Sequence, residues 1–222
     1  MFAPGPASAE PANEVHPKMN QSPTDPPFFE TVFRQRACRE LSSEPIPEPL
    51  IERMLKAGTH APSSRNSQPW RFVVVQDPLV RGQVADCARA AWEAFARAGA
   101  EDPGDATFQA VDRWAMGGLG DAPLIIVVCG DTTVCSMEEM GSSVYLAAQN
   151  ILLAATALGL GSLMSSLPIF APGGAFRAAL ELPVSVVPFA TLPIGYPARK
   201  LGRPRRIPVE ELASRDRFGV GW

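Results

Sequence analysis

The chain has 222 residues, of which 46% are hydrophobic and 19% charged, and its formal net charge is −3, so we expect a globular protein of ordinary composition with one domain. The acidic balance argues against nucleic-acid and anionic-membrane partners, because proteins that bind these usually have a basic excess. Four cysteines without a C-x-x-C pair and only two histidines argue against zinc-ribbon, thioredoxin-like and His-rich metal sites, so we expect free thiols, no resident metal and a cytoplasmic location.

Residues 1–27 differ from the rest of the chain, since they contain seven of the 23 prolines and few large aliphatic side chains. Such a segment cannot bury enough apolar surface to offset the entropy lost on ordering, so we predict a disordered tail. The segment also lacks the apolar core of a secretory signal. The folded domain is therefore predicted to span residues 28–222.

Apolar periodicity and turn residues predict six helices and three strands. The helices are expected at 28–36, 48–59, 79–99, 105–116, 137–158 and 174–182, and the strands at 71–75, 124–129 and 184–194. Pro188 and Pro193 interrupt the last strand, so part of it is expected at an edge or a bulge, because proline has no N–H to donate. The chain has no G-x-G-x-x-G, Walker-type or G-x-S-x-G motif, which argues against dinucleotide-fold, P-loop and hydrolase proteins.

The most apolar stretch covers residues 144–164 and contains no charged side chain. A membrane span needs about 20 apolar residues, so the stretch is nearly long enough. However, it contains Gln149 and Asn150, follows two glutamates and ends at a G-L-G sequence. The better interpretation is a helix buried on all sides, either in a domain core or at a dimer interface.

Three polar clusters could carry chemistry, and each also has a purely structural interpretation. Residues 34–39 place three arginines where an early helix ends; guanidinium groups suit phosphate oxygens, although a solvated basic helix end has the same composition. Residues 61–70 form a loop of hydroxyl and amide side chains that could bind the polar edge of a heterocycle or cap the neighbouring elements. Residues 199–206 contain five cations. The three interpretations of this run are a solvated face, a weak nucleic-acid site, and the second half of a phosphate site with residues 34–39.

The order of four motifs resembles the nitroreductase-like flavoproteins. These are R-x-x-R-x-[FL] at 36–41, A-P-S-x-x-N-x-Q-P-W-x-F at 61–72, an apolar helix ending in G-L-G at 159–161, and R-x-P-x-E-E at 206–211. The second motif is the specific one, and the resemblance covers residues 28–219. It implies an α+β fold with a central, mostly antiparallel sheet flanked by helices. It also implies an intertwined homodimer with an exchanged C-terminal segment, in which the apolar helix forms the dimer core.

The resemblance further implies FMN at the subunit interface, and it assigns site residues position by position. Those that resemble the phosphate-binding group are Arg36, Ala37, Arg39 and Arg206. Those that resemble the contacts from the other subunit are Pro62, Ser63, Ser64, Asn66 and Ser143. Those that resemble the loop along the flavin, near its reactive nitrogen, are Ser165, Ser166 and Leu167. Many family members have serine where this chain has Ala37, so one hydroxyl contact to the phosphate is lost.

The implied function is an FMN-dependent oxidoreductase that takes hydride from NAD(P)H and passes it, in a second step, to a nitroaromatic, quinone or related small-molecule acceptor. No catalytic side chain is expected, because the flavin carries the chemistry. Residues 105–120 are expected to select the acceptor, with Phe108, Trp114 and Met116 either as an aromatic cover or as ordinary core. The alternatives are a dehydrogenase, oxidase or dehalogenase of the same family, and a non-catalytic flavin-binding protein.

Overall fold

The computed structural model describes residues 28–97 and 104–222. The disordered tail that the sequence predicts at 1–27, and the end of the third predicted helix at 98–99, lie outside the described residues. The helices are α1 Phe28–Arg34, α2 Glu48–Thr59, α3 Pro78–Trp92, α4 Ala106–Arg113, α5 Met137–Ala157, α6 Ala175–Ala179 and α7 Val209–Leu212. The strands are β1 Trp70–Val75, β2 Leu124–Asp131, β3 Gly161–Ser162 and β4 Val186–Gly195.

The predicted helices and strands are all present; α2 has its predicted bounds, and the other elements differ by one to several residues at their ends. Wider π-type turns extend α3 and α4, at Glu93–Arg97 and Trp114–Gly118. Strand β3 and helix α7, which have two and four residues, were not expected. Elements this short show no periodicity, so the pattern of apolar residues could not indicate them.

The strands form one antiparallel sheet in the order β1-β2-β4-β3, so the α+β class is confirmed. The register between β2 and β4 shifts after Val128, which pairs with Ala190, because Cys129 pairs with Pro188 and Phe189 is left over as a bulge. The expected bulge is therefore confirmed. The proline-containing strand is nevertheless interior, because β4 lies between β2 and β3.

Strand β2 separates two hydrophobic cores, one on each face of the sheet. Leu124, Ile126 and Val128 contact the core beneath α2 and α5, whereas the alternate residues contact the core beneath α3 and α6. This follows from the strand period of two, which points successive side chains to opposite faces. The sheet is therefore covered by helices on both faces, and every residue of β2 before Asp131 is buried.

Helix α5 is buried on one side only within this chain. Val144, Ala148 and Ile151 are fully buried, but Tyr145 and Leu146 on the opposite side are 44% and 45% exposed. Of the two predicted settings, burial within the core of one domain is therefore wrong, because no described element of the same chain covers the second face, and a dimer interface stays a prediction. Within the ranges that the structure describes, none of the helices has the combined length and apolar content needed to cross a membrane.

Candidate functional site

The arginine-bearing segment after α1 is fixed against β3. Ala37 forms a parallel bridge with Ser162, and the Cys38 backbone N–H donates to the Ser162 carbonyl oxygen at 2.9 Å. The Cys38 side chain is 1% exposed and packs against Gly161, where an added Cβ would lie 2.7 Å from Cys38 Sγ. A buried anchor therefore holds the backbone between Arg36 and Arg39.

Cys38 is not an activated nucleophile, although it lies between two arginines. Burial raises the pKa of its thiol, and this effect exceeds the lowering effects of a hydrogen bond to Glu40 and of nearby guanidinium charges. The thiol donates to the Glu40 carbonyl oxygen at 3.5 Å. Its role is therefore packing, since reactive cysteines have a lowered pKa and partial exposure.

A cationic cavity of about 620 Å³ lies beside this segment, at the C-terminal end of α5. Arg36 lines it and donates from Nη1 to the Gly202 carbonyl oxygen at 3.1 Å, across 166 positions of sequence. The other cationic side chains of its lining are Arg34, Arg199, Lys200 and Arg203. The two cationic clusters therefore converge on one cavity, as the phosphate-site interpretation predicts.

Two acidic residues offset part of this charge. Glu30 pairs with Arg34 at 3.4 Å, and Glu40 accepts from Arg199 Nε at 2.8 Å. Neither pair includes the other three cationic side chains of the lining, which are Arg36, Lys200 and Arg203. A phosphate group would suit this surplus, because guanidinium groups match its oxygens in bidentate geometry.

Ser162 gives a second reason to place a polar ligand here. Ser162 lines the cavity and is 2% exposed. Its hydroxyl has no hydrogen-bond partner among the described residues. Buried polar groups in folded proteins are almost always satisfied, so an unpartnered hydroxyl beside a cationic cavity fits an anionic ligand. Sequence reasoning missed Ser162, since only the tertiary structure shows its burial.

The structure places the other predicted phosphate residues apart from this cavity. Arg206 is exposed and donates to the carbonyl oxygen of Arg205 at 3.0 Å, and it does not belong to the lining described above. Arg39 lines a separate cleft of about 290 Å³ with Arg113 and Trp114.

Two of the aromatic side chains predicted to select the acceptor lie in packed surroundings. Trp114 is 4% exposed, and Phe108 packs on Trp92 with 5.4 Å between ring centroids. Core packing therefore explains these two aromatic residues better than an aromatic cover.

The hydroxyl-rich loop is attached to the opposite end of α5. The Ser64 backbone N–H donates to Ser143 Oγ at 3.2 Å, and the Gln68 N–H donates to Ser63 Oγ at 3.0 Å. Ser143 is 1% exposed. Pro62 and Asn66 belong to the same loop, so the structure brings together all five residues that resemble contacts from the other subunit.

The two groups of predicted residues are far apart within one chain. Ser143, which holds the loop, and Thr156, which lines the cationic cavity, are 13 positions apart on α5. At 1.5 Å per residue this is about 20 Å. One chain therefore presents two incomplete halves of the predicted site, one near each end of α5.

The segment predicted to lie along the flavin is held rigidly at the sheet. Ser165 and Thr191 exchange backbone hydrogen bonds of 3.0 and 2.7 Å, and Thr191 Oγ1 also donates to the Ser165 carbonyl oxygen at 2.8 Å. The Leu167 N–H donates to Ser165 Oγ at 3.1 Å, and Ser166 lies between them. Thr191 is fully buried, so it is an anchor that the sequence pattern did not reveal.

Known proteins with similar sequences and folds indicate which family this chain resembles. The sequence model of the Nitroreductase family matches residues 32–196. A protein of Methanothermobacter thermautotrophicus with the provisional name NADH dehydrogenase/NAD(P)H nitroreductase is 30% identical over 193 residues, which are 82% of this chain and 86% of its own. A 5,6-dimethylbenzimidazole synthase of Rhodospirillum rubrum is 32% identical over 214 residues, 88% of this chain and 93% of its own. The structure of a provisionally named nitroreductase from Desulfovibrio desulfuricans in complex with FMN is 26% identical, with a TM-score of 0.65, over 87% of this chain and 99% of that chain.

Proposed function

Because the chain belongs to the nitroreductase family, we propose that it is an FMN-dependent oxidoreductase that uses NAD(P)H to reduce a nitroaromatic, quinone or related small-molecule acceptor. The observation that carries this proposal is the cationic cavity beside Arg36, whose lining includes the buried Ser162 hydroxyl, which has no partner in the described part of the chain. The provisional name of the Methanothermobacter relative and the FMN in the Desulfovibrio structure support the choice of co-substrate and cofactor.

In this proposal the chain's own residues bind and orient the cofactor. Arg36, Lys200 and Arg203 neutralise the phosphate, and Ser162 gives it a hydroxyl hydrogen bond. The backbone of Ser165 to Leu167, fixed by Thr191, presents hydrogen-bonding groups to the flavin ring without having to reorganise. FMN supplies the chemistry, since it can accept hydride from one partner and pass it to another.

We include a homodimer in the proposal, because one chain cannot complete the site. The loop around Ser64 and the cationic cavity lie about 20 Å apart on α5, so a second copy would supply the loop. The half-exposed Tyr145 and Leu146 on α5 give that copy an apolar surface to cover. The C-terminal segment, in which Leu212 and Phe218 are 69% and 104% exposed, would be exchanged between the subunits.

The state of the thiols bears on the location of the protein. All four cysteines are free and buried, which suits a reducing compartment, so we propose that the protein is cytoplasmic.

The first test is the cofactor itself. The purified protein should be yellow, acid should release FMN rather than FAD, and NADH or NADPH should bleach the flavin absorbance under anaerobic conditions. Arg36→Ala should raise the FMN dissociation constant about 10- to 100-fold, because hydrogen bonds to charged groups contribute about 1.5–3 kcal/mol and 1.4 kcal/mol corresponds to tenfold. Arg89→Ala is the matched control, since Arg89 lies on α3, is not part of the cavity lining and pairs with its neighbour Asp86.

A colourless protein that takes up no added FMN would overturn the proposal. If Arg36→Ala binds FMN as tightly as the wild type, the phosphate lies elsewhere.

A relative named as a 5,6-dimethylbenzimidazole synthase has a different activity from a nitroreductase, so we keep a second candidate, a flavin-dependent oxidase or dehydrogenase of the same family. Turnover assays with added acceptors distinguish the two candidates. Reduction of the flavin by NAD(P)H followed by multiple turnovers with a quinone supports the reductase. Reduction without turnover of any quinone or nitroaromatic supports the second candidate, and a bound flavin that neither nucleotide reduces supports a non-catalytic binder.

A further inference from the structure

The loop between Pro62 and Pro69 has an unusual backbone. Arg65, Asn66 and Gln68 have φ angles of 51°, 56° and 49°, in the left-handed region. Non-glycine residues are uncommon there, and the strain persists only where the surrounding contacts impose it. Three such residues among four positions mean that specific contacts hold this loop in one conformation.

Backbone contacts within the loop explain part of this. The Asn66 and Ser67 N–H groups donate to the carbonyl oxygens of Ser63 and Ser64 at 3.1 and 2.9 Å. Together with the bond from the Gln68 N–H to Ser63 Oγ, these close a tight turn. They fix the shape of the loop, but they do not fix its position relative to the rest of the protein.

Two contacts with α5 fix that position. One is the bond from the Ser64 N–H to Ser143 Oγ, and the other is an ion pair in which Arg65 Nη2 lies 2.6 Å from Glu139 Oε2. Glu139 and Ser143 are four residues apart, so they lie on one face of the helix, and Ser143 Oγ also donates to the Glu139 carbonyl oxygen at 3.4 Å. The first turns of α5 therefore hold the loop at two adjacent positions.

We propose that Arg65 and Glu139 are positioning residues that hold this loop in the orientation needed to contact the cofactor. The proposal rests on the proposed function, in which Ser63, Ser64 and Asn66 contact FMN bound mainly by the second subunit. The pair is exposed, since the two side chains are 77% and 35% accessible, so it contributes little to global stability. Its effect lies in preorganisation, because a loop fixed before binding loses less entropy when the cofactor binds.

Arg65→Gly separates positioning from stability. Glycine adopts a φ near +51° without steric cost, so this variant should unfold at the same temperature as the wild type or higher. It nevertheless loses the contact with Glu139, so its FMN dissociation constant should rise about 2- to 5-fold, the range for loss of an exposed ion pair. Glu139→Gln should weaken FMN binding by a similar factor, measured by quenching of flavin fluorescence.

A charge exchange supplies the rescue. Arg65→Glu and Glu139→Arg should each weaken binding, and the double variant should recover at least half of the lost affinity. Asp86→Asn, which breaks the exposed pair with Arg89 on α3, is the control and should leave FMN affinity unchanged. If the wild type binds FMN and both Arg65→Gly and Glu139→Gln bind it equally tightly, this inference is refuted while the proposed function stands. A double variant that recovers no affinity would also refute this inference alone. Absence of FMN binding in the wild type would instead refute the proposed function.

Discussion

Replacement of Gly161 by alanine is the sharpest test of the packing that holds the arginine segment. An ideal Cβ at this position would lie 2.7 Å from Cys38 Sγ, 3.0 Å from Cys38 Cβ and 3.1 Å from Leu41 Cδ2. Carbon atoms in contact are normally about 3.5–4.0 Å apart, so three atoms must move. Cys38 is 1% exposed, and its backbone N–H is hydrogen-bonded to the Ser162 carbonyl oxygen, so its main chain cannot shift without breaking this contact.

Overpacking of this kind costs about 1–3 kcal/mol of unfolding free energy. For a domain of this size each kcal/mol lowers the melting temperature by about 2–4 °C, so the expected loss is about 2–12 °C. The displaced segment carries Arg36, so FMN affinity should fall as well. Differential scanning calorimetry and flavin titration measure the two effects on the same preparation.

Two further variants make the result interpretable. Cys38→Ala removes the Sγ atom that lies nearest, so the double variant with Gly161→Ala should recover part of both losses. Gly82→Ala on α3 is the control, since its Cβ would meet nothing within 4 Å, and it should gain about 0.5–1 kcal/mol from helix propensity. Gly161→Ala with wild-type melting temperature and FMN affinity would refute the close packing of Cys38 on β3.

Two more predictions concern titratable groups. All four cysteines are buried, and burial raises the pKa of Cys129 to about 12. Ellman's reagent should therefore react with the four thiols only after denaturation. A thiol that reacts rapidly in the native protein would contradict this. Hydrogen bonds from Thr133, and then the charge of Arg71, lower the pKa of Asp131 below its ordinary value of 3.8. A lowered pKa in the folded state stabilises the protein above the ordinary pKa, and this contribution is lost as the pH falls through the folded value. The difference in urea midpoint between wild type and Asp131→Asn should therefore shrink below about pH 4, and a difference that grows with acidification would refute the assignment.

The location and type of most elements could be read from the sequence. Helix α2 was predicted at its observed bounds, because Ile51 and Met54 mark its buried side and Pro47 precedes its first residue. The alternation along β2 is not visible in a fully apolar run, yet its length and β-branched residues still indicate a strand. Part of the proline-containing β4 was predicted at an edge or a bulge, and the bulge is present, but the position of β4 between β2 and β3 depends on the pairing partners of the whole sheet.

The candidate site was predicted less completely, and Arg206 shows why. The motif assigned Arg206 to the phosphate, whereas Arg36 instead shares its cavity with Arg199, Lys200 and Arg203 from the same basic run. A run of five cations in eight residues does not indicate which side chains turn toward a given cavity. Ser162 and Thr191 were missed because serine and threonine are ordinary residues until burial removes their access to water.

The sequence by itself determined the helices and strands longer than four residues, the motifs that identify the family, and the arginine clusters that could hold a phosphate. Local periodicity and turn chemistry carry this information, and both depend on residues a few positions apart. Only the tertiary structure decided which cations meet, that the Ser162 hydroxyl is buried with no partner among the described residues, and that α5 separates two groups of predicted site residues. These properties depend on contacts such as that between Arg36 and Gly202, which lie 166 positions apart and meet only when the chain has folded.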